Sequence, residues 1–171
     1  MKKNNAQHLF LYAIIILASS ILVVACHNKA SKVEKDITVM HTFPNTNWTF
    51  EEQVLELPFT IIDTTKDYSI EFMLNYDTAT NTLEQLPITV TLVFPDGQET
   101  YVSSIFDFNR KTNKNILPAG DSKNCNIRLV AFPKKSLSQS GQYKVIFYRK
   151  AEKYDNYGFN SLTMKVLPVK E

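Results

Sequence analysis

Seven stretches of this chain alternate apolar and polar residues with a period of two. They are "VLELPFTII" (54–62), "YSIEFMLNY" (68–76), "ITVTLVF" (88–94), "ETYVSSIFDF" (99–108), "CNIRLVAF" (125–132), "YKVIFYRK" (143–150) and "SLTMKVLPV" (161–169). A period of two sends successive side chains to opposite faces of a pleated strand, and the Val, Ile, Thr, Phe and Tyr that fill these stretches suit such a half-buried surface. Between them lie "DTTKD", "PDGQ", "RKTNKNILPAGDSKN" and "SQSGQ", which carry the Pro, Asp, Asn and Gly of turns. Pro95-Asp96-Gly97 is the clearest hairpin signal, because Gly97 can take a positive φ. The window "WTFEEQVLEL" has some helical spacing, but Thr49, Val54 and its flow into strand residues argue against a helix. The pattern predicts an all-β fold, a single antiparallel β-sandwich of about seven to eight strands, immunoglobulin-like or jelly-roll-like. A closed barrel is the alternative. No internal repeat is visible.

The N-terminus obeys different rules. Met1-Lys2-Lys3 is basic, and Leu9 to Ala25 is an uncharged, almost wholly apolar run of 17 residues. That sits at the lower edge of the ~17–25 residues that span a bilayer. A charged start, an apolar middle and a small residue at the cut describe a secretory signal peptide. Val23-Val24-Ala25-Cys26 resembles the bacterial lipobox, in which the cysteine thiol receives a diacylglyceryl group before cleavage. The expected division is therefore a lipoprotein signal peptide at 1–25, a lipidated flexible tether at 26–36 and a β-sandwich domain at 37–171. No aspartate follows Cys26 and no acidic cluster stands close behind it, so the expected address is the outer membrane, on its periplasmic face.

Charge narrows the partners. The chain has 19 basic and 17 acidic side chains, and loss of Lys2 and Lys3 with the signal peptide leaves the two balanced. There is no basic footprint for nucleic acid. After lipidation only Cys125 remains as a thiol, so no internal disulfide is available and stability must come from packing.

Chemistry is scarce. Past the signal peptide the histidines are His27, beside the expected lipid, and His41, at the tether's end, so neither suits a triad or a zinc site. Four glycines and no phosphate-loop motif leave no cradle for a nucleotide. Glu51-Glu52 reads as a solvated pair, and "EKYDNYG" (152–158) as a surface turn rather than a calcium loop. No catalytic residue, cofactor or metal is expected, and the chain reads as a non-enzyme. The aromatics are better candidates for contact. Trp48 in "NTNWTFEE", and Tyr154 and Tyr157 in "YRKAEKYDNYGF", could meet a glycan or a partner protein, unless they staple strand ends into the core. Asp63-Thr64-Thr65 and Asp77-Thr78-Ala79 resemble the three-residue O-glycan acceptor pattern of secreted Bacteroidetes proteins, which makes Thr64 and Thr78 candidate acceptors.

Read in order, Cys26, Trp48, the strand from Val54 to Ile62, the turn from Asp63 to Tyr68, Pro95 to Gly97, and Ser140 to Tyr143 resemble the gliding-motility lipoprotein family GldH of Bacteroidetes. The order carries the resemblance, since each motif alone is short. Two segments depart from the family pattern: "NYDTATNTLEQLP" lacks the expected Arg and Tyr-rich stretch, and the C-terminal segment is poor in glycine. The resemblance implies a non-enzymatic outer-membrane lipoprotein, held by its diacylglyceryl cysteine, that acts as a structural or assembly component of the gliding-motility or related secretion apparatus. Its partners would be other envelope proteins of that machinery. The alternative is a glycan-binding β-sandwich lipoprotein of the cell envelope.

Overall fold

The computed structural model describes residues 36–119, 123–150 and 155–170. Eight of its strands have six or more residues: β1 (Ile37–Thr42), β3 (Val54–Ile61), β4 (Asp67–Asp77), β5 (Gln85–Val93), β6 (Glu99–Asp107), β8 (Asn124–Ser136), β9 (Gly141–Arg149) and β11 (Phe159–Pro168). Three short ones complete the set: β2 (Asn47–Trp48), β7 (Ile116–Pro118) and β10 (Asn156–Tyr157). Among the described residues the only helical turn is a 3₁₀ turn at Pro44–Thr46.

The strands form a five-stranded sheet in the order β1-β11-β4-β8-β7 and a four-stranded sheet in the order β3-β9-β5-β6, with β2 and β10 as a separate two-stranded ladder. Every pairing is antiparallel. The two large sheets pack face to face, so the expected β-sandwich is the fold.

Alternation explains the packing strand by strand. In β4, Tyr68, Ile70, Phe72, Leu74 and Tyr76 are all buried, and the residues between them are half-exposed. Leu55, Leu57, Phe59 and Ile61 of β3 and Leu86, Ile88, Val90 and Leu92 of β5 meet them from the opposite sheet. Each such side chain contributes roughly 1.5–3 kcal/mol on burial, most of it offset by the entropy of ordering the chain. Phe147 of β9 sits at the centre, with ring centroids 4.9 Å from Phe72, 5.9 Å from Trp48 and 6.3 Å from Phe106.

The structure extends the sequence reading in two places. β1, which carries His41, is a strand that pairs with β11 from Ile37↔Val166 to Thr42↔Ser161, so His41 belongs to the sandwich and not to the tether. β8 runs four residues past Phe132, straight through Pro133. Register shifts between Tyr68 and Glu71 in the β4–β8 ladder mark the irregularity that lets it do so.

Both chain ends of the sandwich can be told apart. At one end, Tyr68 Oη donates to Asp63 O (2.6 Å), Tyr143 Oη donates to Gln139 O (2.8 Å), and Gln139 Nε2 donates to Asp96 Oδ2 (2.6 Å). Ser140 Oγ donates to Ile61 O (3.3 Å), closing the β8–β9 turn onto the end of β3. The Pro95–Gly97 hairpin forms as expected: Gly97 has φ +83°, Gly97 N donates to Phe94 O and Phe94 N donates to Gln98 O, both at 2.9 Å. The described chain enters at this same end, since Ile37 pairs with Val166 and Val169 N bonds Asp67 O.

Candidate functional site

The far end of the sandwich holds the unusual chemistry. Trp48 is fully buried, so of its two readings, surface contact or staple of strand ends into the core, it takes the second. Its indole stacks on Phe43 (4.5 Å, 26°), meets Phe159 edge-on (5.8 Å, 90°) and donates Nε1 to Glu52 O (2.8 Å). The polar neighbours that suggested exposure do not decide its fate, because the rings that cover it come from β9, β11 and the turn before β2. The segment 49–53 folds across as a strap.

Arg149 was missed by the sequence reading. It lies in β9, on the inward parity of Tyr143, Val145 and Phe147, and it is wholly buried. Its guanidinium lies over the Trp48 ring, 5.3 Å from the centroid, and Nη2 donates to Thr49 O (2.9 Å), while Nε and Nη1 have no hydrogen-bond partner among the described residues. Burial lowers its pKa from the ordinary arginine value, and the nearby Asp155 carboxylate works against that. Asp155 itself accepts from Phe50 N (2.9 Å) and Asn47 Nδ2 (3.1 Å), and these bonds hold its carboxyl below the ordinary range. Arg149 N also bonds Gln53 O, so cation, carboxylate and indole together pin the strap.

The backbone is strained here as well. Asn45 and Thr46 both have positive φ, +53° and +55°, and for a β-branched residue that is a rare conformation. Thr46 O accepts from Gly158 N (2.8 Å), which ties the turn to β10. Gly158 is required where it stands: φ is +88°, and an added Cβ would lie 2.6 Å from Asn81 N.

Of the candidate contacts, Tyr157 is 57% exposed and pairs with Asn47 across the β2–β10 ladder, and Phe50 is exposed on the strap beside it. Tyr154 and the lipidation candidate Cys26 lie outside the described residues. Thr64 is half-buried in a turn where Asp63 Oδ1 accepts from Thr65 N and Thr65 Oγ1. The Thr78 hydroxyl donates to Lys123 O (2.9 Å), in a second turn organised by Asp77. Cys125 is buried at the start of β8. His41 Nε2 is 3.7 Å from Glu52 Oε1. Among the described residues no group of three or more His, Cys, Asp or Glu side chains could hold a metal ion.

The outward face of the four-stranded sheet carries Glu56 and Lys144, which pair at 2.9 Å, and Glu99 and Asp107 at the two ends of β6. Val54, Tyr148, Thr89 and Ser103 lie in one row across it, and Glu56, Ile146, Thr91 and Tyr101 in the next. A shallow groove of about 630 Å³ opens beside it between Pro87, Ile105 and Lys150. No helix of the described residues is long and apolar enough to cross a membrane.

The fold and this site define an all-β sandwich with a buried Trp–Arg pair. No family model matches the chain, and no curated protein matches it. Among solved structures, it is similar to a chain of the infectious bursal disease virus VP2 subviral particle, with 16% identity and a TM-score of 0.37. It is also similar to a chain of the Gx strain of the same virus, with 14% identity and a TM-score of 0.28. In both cases the match covers 78% of this chain and 33% of the other, so the chain spans about a third of the length of those neighbours.

Proposed function

We propose that this chain is a non-enzymatic lipoprotein of the outer membrane, held on its periplasmic face through Cys26, that serves as a structural or assembly component of the gliding-motility or related secretion apparatus. The observation that carries this reading is where the resemblance motifs fall. Asp63 to Tyr68, Pro95 to Gly97 and Ser140 to Tyr143 are far apart in sequence, yet they lie at one end of the sandwich, where Gln139, just before the last of them, donates to Asp96 and Ser140 donates to Ile61, just before the first. Trp48, the other described motif residue, packs at the opposite end.

The arrangement suits an adaptor. The described chain enters at the motif end, opposite the Trp48–Tyr157 end. A single acyl chain anchors only marginally, with a partition constant of ~10⁴ M⁻¹, and a triacylated cysteine is the stable form of such an anchor. A tether of about ten residues reaches on the order of 20 Å. The glycan-binding alternative keeps Tyr157 but loses Trp48, which is buried.

The test is a pull-down from cross-linked envelopes through a C-terminal tag, comparing the wild type with Cys26→Ala. Co-purification of motility or secretion components with the lipidated form alone supports the proposal. Recovery of polysaccharide, or of nothing specific, overturns it.

A further inference from the structure

A sandwich exposes the outer strands of each sheet, and natural proteins blunt such edges with proline, lysine, bulges or brevity. Here most edges are blunted. Gln53 O accepts from Arg149 N, so the odd residues of β3 bond β9 and its even ones face outward, which puts the nitrogen of Pro58 on the open side. β7 has three residues and ends in Pro118, and the part of β8 that it leaves uncovered carries Pro133, Lys134 and Lys135. β1 has six residues.

β6 is the exception. It is nine residues long, carries no proline or lysine, and pairs with β5 without a bulge. Phe94 N bonds Gln98 O and Phe108 N bonds Glu84 O, so the even residues of β6 bond β5. Glu99, Tyr101, Ser103, Ile105 and Asp107 therefore turn their N–H and C=O groups to the open edge. Tyr101 is 74% exposed, and even the inward-facing Thr100, Val102 and Ser104 are only half-buried.

Charge decides what fits this edge. Exposed Asp96 and Glu99 stand at its beginning, and exposed Arg110, Lys111 and Lys114 follow its end. None of the five belongs to an ion pair among the described residues. An antiparallel copy of the same strand would bring the basic end of one chain against the acidic end of the other, twice, by the two-fold axis. The register centred on Ser103 would oppose Glu99 to Asp107, which like charges disfavour. The register centred on Ser104 avoids this, pairing Tyr101 with Asp107 and Ser103 with Ile105, and it sets Glu99 beside the Asn109–Arg110 turn.

We propose that β6 pairs with β6 of a second copy of this chain, in antiparallel register centred on Ser104, joining two four-stranded sheets into one of eight. The inference goes beyond the envelope role and is independent of it: a failed pull-down leaves it standing, and a monomeric chain leaves that role standing.

Ser104 would face its own copy in a non-hydrogen-bonded pair, where Cα atoms lie ~4.5 Å apart, within disulfide reach. The experiment uses the full chain, oxidised and run on a non-reducing gel. Ser104→Cys is expected to give a disulfide-linked dimer, and Glu56→Cys on the β3 edge is expected to give several-fold less. Ser103→Pro, which removes an edge donor and no backbone bond to β5, only the 3.4 Å hydroxyl contact with Thr89, should suppress the dimer. Glu99→Lys should weaken it several-fold on an otherwise unaltered fold, and adding Arg110→Glu with Lys111→Glu should restore it. Cross-linking that is absent at Ser104, equal at Glu56, or indifferent to the charge reversal would overturn the proposal, as would capture of a different protein in place of the second copy.

Discussion

Arg149 is the residue whose chemistry departs furthest from its surroundings. A buried guanidinium with one hydrogen bond, and two nitrogens that find no acceptor among the described residues, costs desolvation that its stacking on Trp48 offsets only in part. Replacing it with an apolar side chain of similar length should therefore be cheap, whereas truncation should leave a hole under the indole. Arg149→Met is expected to change unfolding free energy by no more than about 1 kcal/mol, and Arg149→Ala to destabilise by roughly 2–5 kcal/mol, as measured by urea denaturation. A large loss in the Met variant would show that the charge itself holds the strap. Period two puts Arg149 on the same face as Phe147, so its burial, though missed, was readable in "YKVIFYRK". Trp48 was not readable in the same way. Its covering partners Phe43, Phe147 and Phe159 are assembled by tertiary pairing, and no window around "NTNWTFEE" contains Phe147 or Phe159.

Turns and strands are where sequence and structure agree best. All seven alternating stretches are strands, and Pro95–Gly97 makes its hairpin, because turn chemistry and period two are local properties. β1 escaped notice since it is an edge strand with no fully buried residue, so its alternation is faint. The end of β8 was misjudged at Pro133 because a proline's compatibility with a strand depends on bulges that only the register reveals. The turn after β3 offers a test of this local chemistry. Bonds from the Thr65 side chain first, then Lys66 and the Thr65 N–H, hold the Asp63 carboxyl at a pKa of about 2, below its ordinary 3.8. A carboxyl depressed in the folded state contributes stability that is complete above the unfolded value and is lost as pH falls through the folded one. Asp63→Asn is thus expected to remove part of the acid-dependent loss of stability between about pH 4 and pH 2, and to alter little of that dependence near neutrality. Thermal unfolding followed across that interval checks it, and an unchanged acid limb would show that the turn carboxylate is not coupled to folding.

At the level of the whole molecule, the number and spacing of strands pointed to a sandwich, but the sheet orders did not follow from them. Which strand joins which sheet depends on pairings between residues distant in sequence, and those leave no local mark. The most distant is the pairing of β1 with β11, in which Ile37 faces Val166 and Thr42 faces Ser161. A chain truncated before Phe159 would strip β11 from between β1 and β4 and leave β4 unpaired along that side. Such a truncation is expected to yield no protease-resistant domain, whereas removal of Lys170 and Glu171 alone should leave resistance intact. The same closure sets a schedule for synthesis. A ribosome delivers residue 37 long before residue 159, so β1 waits without a partner until the chain is nearly finished, and a topology rich in such distant pairings folds in milliseconds to seconds rather than microseconds. Until then the polypeptide has no finished core to resist unfolding, the condition in which a chain can still be threaded through a narrow channel.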